Sequence, residues 1–240
     1  PARRATRGAG VRRRHAGLRA RPRLVLTDGG FHRVRRLPDR PAEGGIGVGS
    51  GAARPGPPRS DDYLQQVRDA LLALPRPRAV VGASLGGLLA LGIADAADAV
   101  VVVNPLPPAP WHGSLPLRTW PDVVPWRRNA RLDGTRRALS DADEATALFA
   151  FRHWRDESGK VLRAACGGMA LAYPSCPLLV VVSREDEDVP PAITRAMATE
   201  WRADVLQTLS PSHVGPLLGR EAAGIAGQTV EWLNHTVQAG

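Results

Sequence analysis

A chain of 240 residues is long enough to bury a substantial core and has the size at which one α/β domain commonly forms. Its formal net charge of +9 looks like a nucleic-acid signature until it is located: residues 1–40 hold thirteen Arg against Asp28 and Asp39, whereas the other 200 residues carry 19 basic and 21 acidic side chains. The body of the protein is therefore slightly acidic, and composition gives no argument for nucleic-acid binding by the folded part. Lys160 is the only lysine, a bias that reflects GC-rich coding more than a phosphate site. Cys166 and Cys176 are the only cysteines; they exclude a disulfide scaffold and read as two free thiols in a reducing, cytoplasmic setting. No apolar run reaches the 18 residues of a membrane span. The Arg-rich start lacks the apolar stretch of a secretory signal, although its scarcity of acids faintly resembles a transit peptide.

In residues 1–58, Arg, Gly, Pro and Ala account for 40 positions and Val, Ile, Leu and Phe for ten. Residues 1–22 read as a disordered basic arm. A strand is expected at residues 24–27, ending in Asp28-Gly29-Gly30-Phe31, and a weaker one at 46–48, with Pro38 and Pro41 interrupting any long helix between them. The alternative is that this region is not a native reading of the gene, because every over-represented residue type has GC-rich codons.

From Ser60 the pattern changes. Ser60 is placed to cap a helix whose first turn carries Asp61 and Asp62, with Leu64, Val67, Leu71 and Leu74 on one face and Pro75 as its stop. Next come a strand through residues 79–81, a turn at Ser84, a helix over 85–97 and the continuous apolar run Ala99-Val100-Val101-Val102-Val103, a strand buried on both faces. Strand, helix, strand in this order is the unit of a parallel sheet. Residues 111–175 follow a proline-rich exit and read as a helical insertion, a cap or lid over the sheet's carboxyl edge, with Ser140 and Asp143 signalling a helix that runs to Trp154. Trp111, Trp120, Trp126 and Trp154 fall in it and weigh toward packing rather than substrate contact. A second buried strand spans 177–183, followed by a carboxylate-rich loop, a helix over 191–202, a strand over 204–209, a polar turn with His213 and a closing helix over 220–237. Residues 23–110 and 176–240 form the core in this reading.

The stretch Gly82-Ala83-Ser84-Leu85-Gly86-Gly87 carries the chemistry. A serine at a sharp strand-to-helix turn, with small residues two before and two after it, has its hydroxyl presented outward, and the next amide sits at a helix N-terminus suited to an oxyanion. Serine is a weak nucleophile and needs a base and a third group to orient that base. In a parallel sheet both come from loops at the carboxyl ends of strands, where the acidic loop Glu185-Asp186-Glu187-Asp188 and the later His213 stand.

On these residues the chain resembles the α/β-hydrolase family, over residues 60–240 more than over the first 58. The resemblance implies a mostly parallel central sheet with helices on both faces, the α/β-hydrolase fold, and a triad in the order serine, acid, histidine. Ser84 would be the nucleophile, His213 the base and Asp186 the acid, counted back from Val189-Pro190, with Asp188 the alternative. The oxyanion amides would be those of Leu85 and of Gly30, or Phe31. Members commonly carry His-Gly before the second donor, and this chain has Asp28-Gly29. The activity implied is hydrolysis of an ester or thioester of a small to medium apolar acyl substrate, without cofactor or metal. Carbon–carbon bond hydrolase, lactonase and haloperoxidase-like reactions use the same triad. From another class, a non-catalytic protein of this fold binding a small apolar ligand or partner remains open, as does salt-dependent binding of nucleic acid or an anionic membrane surface by the arm.

Overall fold

The computed structural model describes the backbone of residues 23–28, 35–36 and 59–238, and side chains from 59 to 236. The expected basic arm, the strand at 46–48, Gly30 and Phe31 lie outside these residues. Six strands form the main sheet in the order β2-β1-β3-β4-β7-β8: β1 (Arg23–Asp28), β2 (Arg35–Arg36), β3 (Arg78–Ala83), β4 (Ala99–Val103), β7 (Leu178–Val182) and β8 (Asp204–Gln207). Every neighbour pair is parallel except the edge pair β1 and β2. The register aligns Ala83 with Val103 and Val103 with Val181, so β3, β4 and β7 finish at one edge.

Alternation along the strands sorts side chains into two cores. Val80, Val100, Val102, Val180 and Val182 point to one face. They are covered there by α1 (Ser60–Leu72) through Val67 and Leu71, α2 (Leu85–Gly92) through Leu88 and Leu89, and α6 (Pro191–Glu200) through Met197. Ala79, Val101, Val103, Leu179 and Val181 point to the other, where Ile225 and Leu233 of α8 (Ala222–Gln238) meet them. The expected layering of helices on both faces of a mostly parallel sheet is what the chain adopts.

Boundaries differ from expectation for local reasons. Ser60 is the first residue of α1, not its cap; the Arg59 amide donates to the Asp62 carboxylate at 2.9 Å, so an acid in the first turn closes the helix start. The helix after Ser84 ends at Gly92 and gives way to a short 3-10 turn, Ala94–Ala96. Between β4 and β7 the chain forms α3 (Leu132–Ala138), α4 (Glu144–His153) and α5 (Gly159–Cys166). It also forms a small antiparallel pair of β5 (Val123–Val124) and β6 (Glu157–Ser158), which a purely helical reading of residues 111–175 did not contain. Two-residue strands are too short to leave a period in the sequence. Asp143, not Ser140, caps α4, accepting from the Thr146 amide at 2.8 Å. Val161, Leu162 and Ala165 of α5 join the same apolar cluster as the sheet.

Buried Arg78 ties this frame together at the start of β3. Its Nε donates to the Ala96 carbonyl at 2.8 Å and its Nη1 to the carbonyls of Leu74 at 3.2 Å and Leu72 at 3.3 Å, while its amide donates to Asp98 at 2.8 Å. One guanidinium thus satisfies carbonyls left over at the end of α1 and in the turn before β4. Arg78→Met is expected to leave them unpaired and cost on the order of 2–4 kcal/mol, read as a lower midpoint in urea unfolding.

Candidate active site

β3 passes into α2 through Ser84, which has φ 52° and ψ −122°, a conformation a non-glycine residue rarely adopts and that costs roughly 1–3 kcal/mol. Close packing on both sides holds it. A Cβ at Gly82 would lie 2.2 Å from the Gly86 carbonyl oxygen, and one at Gly87 would lie 2.7 Å from the Pro105 Cβ. Neither position tolerates a side chain, so strand, turn and helix approach at backbone contact. Hydrogen bonds complete the hold: the Ser84 amide donates to the Val103 carbonyl at 3.0 Å, and the Ser84 carbonyl accepts from Gly87, Leu88 and Leu106 at 3.0, 3.2 and 2.9 Å. Leu85 is the first residue of α2, so its N–H precedes any intrahelical acceptor.

Asp186 follows β7 by a few residues and is buried. Its Oδ1 accepts from the amides of Asp188 at 2.9 Å and Val189 at 3.0 Å, and its Oδ2 accepts from His213 Nδ1 at 2.7 Å. His213 lies in the loop between β8 and α7 (Gly215–Leu218), with 14% of its side chain exposed against 1% for Asp186. The alternative acid, Asp188, turns elsewhere and pairs with Arg118 at 2.7 Å. Burial alone would pull the imidazole pKa down; the hydrogen bond and charge of Asp186, aided by Asp188 and opposed by Arg118, outweigh it and hold His213 above the ordinary histidine range. Donor atoms of Asp186, Asp188 and His213 fall within 4.8 Å of one another, a metal-like spacing. Here each carboxylate is already engaged, by His213 and two amides or by Arg118.

Ser84, Leu85 and His213 line one cavity of about 1020 Å³. Its apolar wall includes Leu106, Trp120, Trp126, Trp154 and Leu162. The tryptophans also pack: Trp120 meets Trp126 edge-on at 6.2 Å, and Trp154 Nε1 donates to Thr135 Oγ1 at 2.9 Å. Trp111 instead packs edge-on against Trp201 at 5.3 Å. Cys166 and Cys176 are free thiols, and burial pushes both pKa values up.

A family profile described as "Alpha/beta hydrolase family" matches residues 8–226. The chain belongs to that family. No curated protein sequence matches it. Among solved structures, a pyrethroid hydrolase from Sphingobium faniae superposes with a TM-score of 0.60 at 16% identity, over 88% of this chain and 96% of that one. Tomato methylketone synthase I gives 0.60 at 15%, over 89% and 98%. Polyneuridine aldehyde esterase gives 0.54 at 14%, over 73% and 78%. At such identity these likenesses speak for the α/β-hydrolase fold.

Sequence reasoning brought Ser84, Leu85, Asp186 and His213 forward, while Gly30 is outside the described residues. It missed Arg118, the partner of Asp188, and Asp141, whose carboxylate accepts from Ser210 Oγ at 3.2 Å and Ser212 Oγ at 3.4 Å beside His213. Neither lies near its partner in sequence, so no motif could reveal them. Gly82→Ala is expected to destabilise the fold by about 1–3 kcal/mol, since the clash is with backbone that cannot rotate away; thermal unfolding against Gly134→Ala, whose Cβ would meet only the end of Arg137 at 3.9 Å, measures it.

Proposed function

We propose that this hydrolase-family chain is a serine hydrolase that cleaves an ester or thioester of a small to medium apolar acyl substrate through an acyl-enzyme. The observation that carries the reading is the 2.7 Å bond from His213 Nδ1 to Asp186 at a cavity also lined by the strained Ser84. With Nδ1 engaged, the other ring nitrogen of His213 is the one available to accept a proton.

In the proposed cycle His213 Nε2 takes the Ser84 Oγ proton as Oγ bonds to the substrate carbonyl carbon. The carbonyl electron pair moves to oxygen, which rests on the Leu85 amide and, in the family pattern, on that of Gly30. Collapse of this intermediate expels the alcohol or thiol, which receives the proton from His213. Water then attacks the acyl carbon with His213 again as base, the acid departs and Ser84 recovers its proton. Asp186 holds the ring through Nδ1 and stabilises the imidazolium. Residues 111–175 act as the cap in this reading, with Trp120, Trp126 and Trp154 giving the acyl chain an apolar wall that keeps bulk water from the acyl-enzyme.

A fluorophosphonate probe should label the native chain and fail to label Ser84→Ala. A native chain that does not label would instead favour the non-catalytic binder. Nitrophenyl esters and acyl thioesters of graded chain length then define the acyl group.

Only neutral His213 can act as base, so kcat/KM should rise with pH through a single ionisation above the ordinary histidine range. Asp186→Asn removes the charge that favours imidazolium; the acid limb should move to lower pH while kcat falls on the order of 10³- to 10⁴-fold. Arg118→Gln removes the opposing positive charge, leaves Asp188 unneutralised and should move the same limb to higher pH. Opposite displacements in the two variants are the measurement; a shift in one direction for both would contradict the charge arrangement.

A further inference from the structure

Where β4 ends, Asn104 takes φ 42° and turns the chain out of the sheet. Asn104 is 2% exposed, and Ser183, which follows β7, is fully buried. The two form a closed polar unit. The Asn104 amide still follows the ladder, donating to the Val181 carbonyl at 3.0 Å. As the chain departs, the next donor of β7, the Ser183 N–H, is taken by the Asn104 side-chain oxygen Oδ1 at 2.9 Å. Both Nδ2 protons are used at 2.7 Å, one toward Ser183 Oγ and one toward the His213 carbonyl. Ser183 Oγ passes its own proton to the Ser212 carbonyl at 2.8 Å.

We propose that Asn104 and Ser183 are a positioning pair for His213: they grip the consecutive carbonyls of Ser212 and His213 from the sheet edge and so set the direction in which the imidazole leaves the backbone. The inference rests on the reading of His213 as general base. Packing alone does not call for these residues. A turn with positive φ is met most simply by glycine, and a buried position beside the Val103 and Val182 ends of two apolar strands would accept an apolar side chain at no hydrogen-bonding risk. Asn supplies what neither could, an acceptor and two donors in one plane that bridge β4, β7 and the histidine loop with every buried proton partnered.

The pair acts along one rigid path. Ser183 stands three residues before Asp186 on the chain leaving β7, and the carbonyl of His213 hangs on Asn104 while its ring hangs on Asp186. Ring and backbone of the histidine are thus held by adjacent strand ends. The charged groups that face His213 are Asp186 and Asp188 from the acid loop and Arg118 from the segment before β5; Asp141, from the turn between α3 and α4, reaches the loop through Ser210 and Ser212. Asn104 and Ser183 carry no net charge, so removing them takes no ion away from the imidazole, and a displaced titration reads chiefly a change in its contact with Asp186.

The test uses Ser183→Ala and Asn104→Gly, the second chosen because glycine keeps the positive φ available. Folded fraction is measured by thermal unfolding, the His213 ring titration by proton NMR, and kcat, KM and the pH dependence of kcat/KM on a nitrophenyl ester. The expected result is a loss of kcat on the order of ten- to hundredfold in chain that remains folded, KM within about twofold of the native value, and a His213 pKa displaced downward as its contact with Asp186 slackens. The acid limb of kcat/KM should follow to lower pH. A His213 titration unmoved in both variants, whether activity is retained or falls in step with folded fraction, overturns the proposal. The NMR titration needs no turnover: a native chain that neither labels nor hydrolyses defeats the hydrolase reading, while the titration of the variants still decides the positioning role.

Discussion

The contact on which the rest depends is the backbone approach at Gly82, where a single added carbon would sit 2.2 Å from the Gly86 carbonyl oxygen. A strand can pass into a helix over so short a turn only if the two elements nearly touch, and they can touch only if both surfaces lack side chains. That closeness forces Ser84 into a strained conformation. The strain is offset by what surrounds it: a ladder bond to Val103, three amides on the Ser84 carbonyl and the fully apolar α2 anchored in the sheet's core. A serine in an exposed loop could relax; this one is held by the end of β4 and the first turn of α2.

A second constraint is electrostatic. Asp186 keeps a carboxylate almost wholly away from water, which costs several kcal/mol unless its lone pairs are filled. Two amides and the imidazole fill them. Asp188, only two residues on, adds a second negative charge near the same ring, and Arg118 pairs with it and opposes it. The arrangement separates two acids that stand two residues apart: one is buried and partnered by dipoles, the other half-exposed and paired with a cation. His213 receives the sum: burial of the ring and Arg118 lower its pKa, and the hydrogen bond and charge of Asp186 together with the charge of Asp188 carry it above the ordinary histidine range.

The segment between β4 and β7 couples to this centre through polar contacts. Arg118 reaches the acid loop, and Asp141 reaches the serines that flank His213, its carboxylate lying where a Cβ on Gly215 or Gly219 would collide with it. Trp120, Trp126 and Trp154 both pack and line the cavity. The choice between packing and lining posed by the sequence dissolves here, because an aromatic ring can meet a neighbour with one face or edge and the cavity with another.

Much of the fold is legible in the sequence. Ala99–Val103 was readable to the residue, because a strand covered on both faces shows an unbroken β-branched run, and Leu178–Val182 almost as well. The order of elements, the glycines around Ser84 and the acid loop before Val189-Pro190 carry their meaning locally, through spacing and backbone freedom, and the family resemblance followed from them. The two-residue strands β5 and β6, the Asp143 cap in place of Ser140 and the early end of α2 were set by competition among neighbours that local propensity does not resolve. At the candidate site, sequence by itself determined which residue types were present and in which order. Only the tertiary structure shows that Asp186 rather than Asp188 takes the hydrogen bond from the His213 ring, and that Asn104, 109 residues away, holds the histidine's carbonyl. A hydrogen bond depends on a distance of about 3 Å and an angle, and between residues so far apart in the chain these exist only once the sheet has brought the ends of its strands to one edge.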